Sequence, residues 1–224
     1  MKLSRETLAI LKNYAAINPN ILLTPEKVLM SATGAKNVFS KSSIVEEFPI
    51  EFGVYDINEF ISVLSLFSDP DLEFSKGSVN ITQGNSSILY VGANKDIMQL
   101  AKPAQFDKLE EMMAATVTKF DLSGELFSSL IKTASVLKAP DVSFKADGTT
   151  LKISISDLKN TSSNKYDLVV GPIDNTFNVD LKVDNLKMPA VDYVVSVSKE
   201  KAVKFTAKDS DSVYYVAFEL TSKI

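Results

Sequence analysis

The chain repeats itself at about half its length, and this confines it to folds that can be built twice from one pattern. Ser4 and Glu6 recur as Ser123 and Glu125, 119 positions later, and each pair opens a stretch with helical spacing of apolar residues. Ser75-Lys76 recurs as Ser198-Lys199 at an offset of 123, each followed by an alternating run that ends at Thr82 or Thr206. A polar turn and a second strand-like run follow both, Ile88 to Val91 in one half and Val213 to Val216 in the other, at an offset of 125. The drift from 119 to 125 is what single-residue insertions in turns would leave behind. Each half carries two more acids than bases, as duplicates would.

Local patterns fill in the unit. Leu8, Leu11 and Ala15 share one helical face that Ile10, Tyr14 and Ile17 extend, with Ser4 as the expected N-cap. Ser123 is the corresponding cap for a helix that buries Leu126, Leu130, Ala134 and Leu137. Strands are expected at Ile21 to Leu23, Val28 to Ala32 and Phe48 to Val54, then a second helix from Asp56 to Phe67 capped by Asp56. Val142 to Lys145 and Leu151 to Ile155 read as a hairpin through Asp147-Gly148, and Val183 to Met188 as a short helical turn stopped by Pro189. Residues from about 94 to 113 show little alternation and read as a connector. The expectation is an α+β protein of two similar domains, residues 1–105 and 106–224.

Composition removes much chemistry. Among 224 residues there is no cysteine and no histidine, so thiol nucleophiles, imidazole bases and the usual Cys/His zinc sites are excluded. No glycine-rich phosphate loop and no EF-hand spacing occurs, and no cofactor is expected. Asp69-Pro70-Asp71 and Asp209-Ser210-Asp211 lie between strand-like runs and read as turns rather than metal sites. No stretch of about twenty apolar residues could cross a bilayer. Apolar residues make up 45% and charged residues 23%, as in an ordinary globular protein. With no leader pattern in Leu8 to Asn13, the expected compartment is the cytoplasm.

The net charge of −4 argues against gripping DNA by overall charge, but it allows a local basic face. On a helical wheel Arg5, Ala9, Lys12 and Ala16 project away from Leu8 and Tyr14, with Lys2 adjoining. The second major helix offers Ser128, Lys132 and Ser135 there, and Asp56 to Phe67 offers Asn58, Ser62 and Ser65. If these helices line one surface, Lys2, Arg5, Lys12, Lys132, Lys182 and Lys187 make a weakly basic wall that meets phosphates without reading bases. Arg5 is the only arginine, so bidentate guanine recognition is nearly absent and sequence-specific binding is not expected.

Met1-Lys2-Leu3-Ser4 and the run from Leu11 to Asn18 resemble the opening of the sliding clamps, or polymerase processivity factors, of T4-type bacteriophages. So do Val54 to Phe60 leading to Leu64-Ser65-Leu66, and Asn185 to Met188 followed by Pro189 and Asp192 to Val195. The resemblance is weakest at 31–49, 95–112 and 157–176. It implies a DNA-clamp fold, with antiparallel sheets outside and two helices per domain on the inner face, closing as a homotrimer into a pseudo-sixfold ring around double-stranded DNA. It implies no enzymatic activity. Its partners would be the replicative DNA polymerase, an ATP-dependent clamp loader and late-transcription factors, in the host cytoplasm. For partner docking the candidates are Ile97, Met98 and Leu100 in the connector, with Phe218 and Leu220, which a C-terminal strand would otherwise bury. The competing reading is a phage structural or assembly protein built from the same duplicated unit; it would lack the basic inner face.

Overall fold

A computed structural model describes residues 1–160 and 162–224. Two compact units emerge: Met1–Pro103 with Ser210–Ser212, and Ala104–Asp209 with Val213–Ile224.

The first unit opens with α1 (Arg5–Ile17), whose N-terminus is closed by Ser4: its hydroxyl accepts the Thr7 amide at 3.1 Å. Glu46 reaches the same end, accepting the Ser4 amide and the Thr7 hydroxyl. A carboxylate at a helix N-terminus is favoured by both the free amides and the helix dipole. Burial pushes the Glu46 pKa up, but the bonds from Thr7 and Ser4 outweigh it and hold it below its ordinary value. Its contribution is therefore complete above the usual carboxylate range and is lost as pH falls through the lowered folded value. Glu46→Ala is expected to cost about 1–3 kcal/mol, since it removes the acceptor of the half-buried Ser4 amide and of the buried Thr7 hydroxyl. Thermal melts should show this loss shrinking in acid.

Leu11, Tyr14 and Ile17 carry the buried face of α1, together with Thr7. Strands β1 (Ile21–Leu23), β2 (Val28–Ala32), β3 (Val38–Ser43) and β4 (Phe52–Val54) follow, with β1 antiparallel to β4 and β2 to β3. β3 has no counterpart among the expected strands because its inward positions include Ser40 and Ser42, both buried. Their hydroxyls are satisfied by the buried Tyr14 phenol, which accepts from Ser40 at 3.0 Å and donates to Ser42 at 2.8 Å. The third expected strand is shorter than read: only Phe52–Val54 is extended. Phe48 is buried outside it, edge-on to Phe74 at 5.6 Å. Next come α2 (Ile57–Leu64), capped by Asp56 as expected, and the meander β5 (Asp71–Ser75), β6 (Ser78–Gln83) and β7 (Ser86–Val91).

The second unit repeats this order. After α3 (Pro103–Met113) and β8 (Thr116–Leu122) come α4 (Gly124–Leu137) and four strands: β9 (Asp141–Asp147), β10 (Thr150–Ser156), β11 (Tyr166–Pro172) and β12 (Thr176–Lys182). A 3-10 turn at Val183–Asn185 stands where α2 stands, and β13 (Tyr193–Ser198), β14 (Ala202–Ala207) and β15 (Val213–Ala217) complete the unit. Helix, four strands, helical turn and three strands thus occur twice. Even the pairing before the first helix recurs. Met1 exchanges both backbone bonds with Leu72, at 2.7 and 2.8 Å, and Phe120 of β8 pairs with Val195 at the equivalent place. The β9–β10 hairpin turns through Asp147-Gly148, where Gly148 has φ +90° and so needs no Cβ.

The second unit departs from expectation in its connector and in the buried face of α4. The connector contains a helix, α3, begun by Pro103 and held by buried Phe106 and Met113; two buried side chains in eleven residues leave little periodic signal. On α4 the cap is Ser123, but Phe127 joins Leu130 and Ala134 in the core, whereas Leu126 and Leu137 are only half-buried.

Candidate nucleic-acid and partner surfaces

Because Leu11, Tyr14 and Ile17 face inward, the opposite side of α1 presents Arg5, Ala9, Lys12 and Ala16 to solvent. Arg5 and Lys12 stand two turns apart and make no ion pair among the described residues. They flank a groove of about 320 Å³ between α1 and α2, floored by Leu8, Ile61 and Leu64. Asp69 also lines the groove and holds the Lys2 ammonium, and that hydrogen bond raises the lysine pKa. The exposed side of α2 offers Asn58 and Ser62, whose hydroxyl folds back onto the Asn58 carbonyl at 2.7 Å. Glu6, Glu59 and Glu125 each sit in a first helical turn, where the dipole favours them.

In the second unit α4 exposes Ser128, Lys132 and Ser135, and Lys132 has no ion pair among the described residues. Lys187 is exposed just beyond the 3-10 turn. Lys182 differs. It ends β12 with its ammonium on Asp141, a fully buried carboxylate that also accepts the Leu158 amide at 2.9 Å. The bond to Asp141 raises the lysine pKa against the opposing effect of burial. An ammonium committed to a buried carboxylate is a fold element first, which wheel and spacing arguments could not reveal.

The connector residues separate. Ile97 is 69% exposed, at the end of a 3-10 turn spanning Lys95–Ile97. Met98 turns inward: a Cβ on Gly53 would come within 2.9 Å of its sulfur and 2.5 Å of the Ala93 carbonyl. Gly53→Ala is therefore expected to cost about 1–3 kcal/mol by overpacking. Thermal unfolding would read the cost, and faster amide exchange at Ala93 and Met98 would locate it. Leu100 lines a pocket of about 330 Å³ with Leu22, Val28 and Met30, rimmed by Lys41 and Glu51. Phe218 and Leu220 are not in a strand, since β15 ends at Ala217. Phe218 is half-buried, its amide on the Lys201 carbonyl at 3.1 Å, and Leu220 is 97% exposed.

Residues 3–100 match the family described as DNA polymerase processivity factor. The sliding clamp of Escherichia phage RB69 is 30% identical over 237 aligned residues, covering 99% of this chain and 98% of that one. The chain belongs to the sliding-clamp family. The clamp of Enterobacteria phage T4 is 27% identical, with 99% of this clamp and 98% of that one aligned. Among solved structures, A. fulgidus PCNA, crystallised as "C-terminal region of FEN-1 bound to A. fulgidus PCNA", superposes with a TM-score of 0.66. That superposition covers 99% of this clamp and 98% of the PCNA chain at 14% identity, and shows a shared fold. The α+β architecture with antiparallel sheets is thus that of the DNA clamps, and this clamp is a phage-type polymerase processivity factor. No helix among its described residues is long and apolar enough to cross a membrane.

Proposed function

We propose that three copies of this clamp close head to tail into a ring around duplex DNA, each unit serving as one clamp domain, and that the ring tethers the replicative polymerase. The observation that carries this reading is a pair of open sheet edges. β7 ends the order β5-β6-β7, and β11 ends the order β11-β10-β9-β12. Both edges expose apolar side chains: Leu89 and Val91 are 65% and 71% exposed on β7, and Val169 is 65% exposed on β11. An open apolar edge is a template for another strand. The two edges lie on different units, so joining β7 of one copy to β11 of the next is a heterologous contact, which ends only when a ring closes.

Within the ring, Arg5, Lys12 and Lys132, with Lys2 and Lys187, would offer the duplex a sparse set of phosphate contacts. Sparse contact suits sliding: the ring retains DNA by topology, and weak attraction to the backbone leaves no preferred position along it. Lys182 would act there only indirectly, by holding β12. The polymerase, and late-transcription factors as further clients, would dock by short apolar peptides at the Leu100 pocket, with exposed Ile97 and Leu220 as additional contacts. The C-terminal region of FEN-1 bound to A. fulgidus PCNA supports peptide docking as a mode. A clamp loader driven by ATP would open the ring, and the clamp itself would do no chemistry, working in the cytoplasm of the infected host.

Light scattering and primer extension on a long template test this together. A trimer that lengthens products only with the cognate loader and ATP is expected. A stable monomer that leaves product length unchanged with its own polymerase and loader contradicts the proposal.

A further inference from the structure

The β11 edge is interrupted in a way that fixes how a neighbouring strand can lie on it. Opposite β10, Leu151 pairs with Gly171 but Lys152 pairs with Val169, so Val170 is an extra residue with no partner, a β-bulge. Before the bulge the alternation is regular. Tyr166 and Leu168 stand opposite buried Ile155 and Ile153 and share their face, while Asp167 and Val169 point the other way with Ser154 and Lys152. After it the alternation is out of phase, and Pro172 offers no amide. A regular strand can therefore follow β11 only from Tyr166 to Val169.

β7 is regular throughout its pairing with β6. Tyr90 packs on Phe60 of α2 at 5.1 Å, which puts Tyr90 and Ile88 on the helix side and Leu89 and Val91 on the other. Building on the proposed ring, we infer that β7 of one copy pairs antiparallel with β11 of the next in one register, Leu89 opposite Val169. Tyr90 then meets Leu168 on the helix side. On the outer side Val91 falls opposite Asp167, whose carboxylate is already held by Ser154 at 2.6 Å, Lys152 at 3.0 Å and Lys165 at 3.2 Å, so the lysine stems cover the valine. Shifting by two residues one way takes Leu89 off Val169 and leaves that exposed valine opposite the polar Ser87. Shifting the other way drives Leu89 past the bulge. The Val170 bulge is thus the register stop of the interface, and it keeps the ladder short enough for a ring that has to open.

The chain has no cysteine, so introduced thiols report without background. Leu89 and Val169 are exposed, and replacing them should leave the monomer fold intact. Directly opposite Cβ atoms lie about 4.5–5.5 Å apart and diagonal ones about 7–8 Å, so oxidation distinguishes registers. Under mild oxidation L89C/V169C is expected to convert to a covalent trimer, whereas L89C/D167C stays largely uncross-linked. A trimer by light scattering that cross-links through L89C/D167C, or through neither pair, overturns this register while the ring stands. Absence of any oligomer, with neither pair cross-linking, overturns the ring reading itself and this inference with it.

Discussion

Lys182→Ala is expected to destabilise the second unit by about 3–5 kcal/mol, the cost of leaving a buried carboxylate without its cation. Asp141 is fully buried, and its remaining partner in view is the Leu158 amide, which cannot neutralise it. For a chain of this size each kcal/mol moves the melting temperature by about 2–4 °C, so a drop on the order of 10 °C should be seen. A second substitution that removes the stranded charge, Asp141→Asn on the Lys182→Ala background, should recover part of the loss. Lys182→Ala with unchanged melting but weaker DNA binding would instead mean that its ammonium serves the duplex. The pH dependence gives an independent reading. The Lys182 pKa is raised in the fold, so its stabilisation is complete below the ordinary lysine value and declines as pH rises through the raised one. The wild-type chain should lose stability in strong alkali by a route that the Lys182→Ala variant lacks.

Combined replacement of Arg5, Lys12 and Lys132 by alanine is expected to do the opposite, leaving stability within about 0.5 kcal/mol and weakening DNA contact. All three are exposed and outside any ion pair among the described residues. Each phosphate contact removed should take about 0.9 off the slope of log affinity against log salt, whatever the DNA sequence. Three altered residues in each copy of the proposed ring would make this the largest functional effect expected from surface substitutions. Salt-titrated fluorescence anisotropy on a labelled duplex would measure it. Alanine at Lys27, Lys76 and Lys159, exposed in turns, removes equal charge and is the matched control. If both triple variants changed the slope equally, overall charge rather than the helix face would be in command.

The two predictions mark the boundary of what the sequence discloses. The repeat was legible because it rests on caps and turns, features fixed by one residue and its neighbours: Ser4, Ser123 and Asp56 all cap helices where they were expected to. The exposed positions of Arg5, Lys12 and Lys132 were legible for a related reason, since a helix buries one face and periodicity tells which. Strand β3 was hidden because Ser40 and Ser42 fill inward positions that alternation assigns to apolar residues, their cost relieved by the distant Tyr14. The Lys182–Asp141 pair was hidden because it joins residues 41 apart that only strand register brings together. Open edges such as β7 and β11 are equally invisible, for an unpaired strand has the same local pattern as a paired one.

Retention on circular versus linear DNA tests topological tethering most directly. The protein would be loaded by its cognate loader and ATP onto nicked circular plasmid, washed in high salt, and followed after a restriction enzyme opens the circle. The ring account predicts that it survives the wash on the circle and runs off once the DNA is linear. Loss of the protein from the intact circle in salt, or retention on the linear form equal to that on the circle, would contradict it.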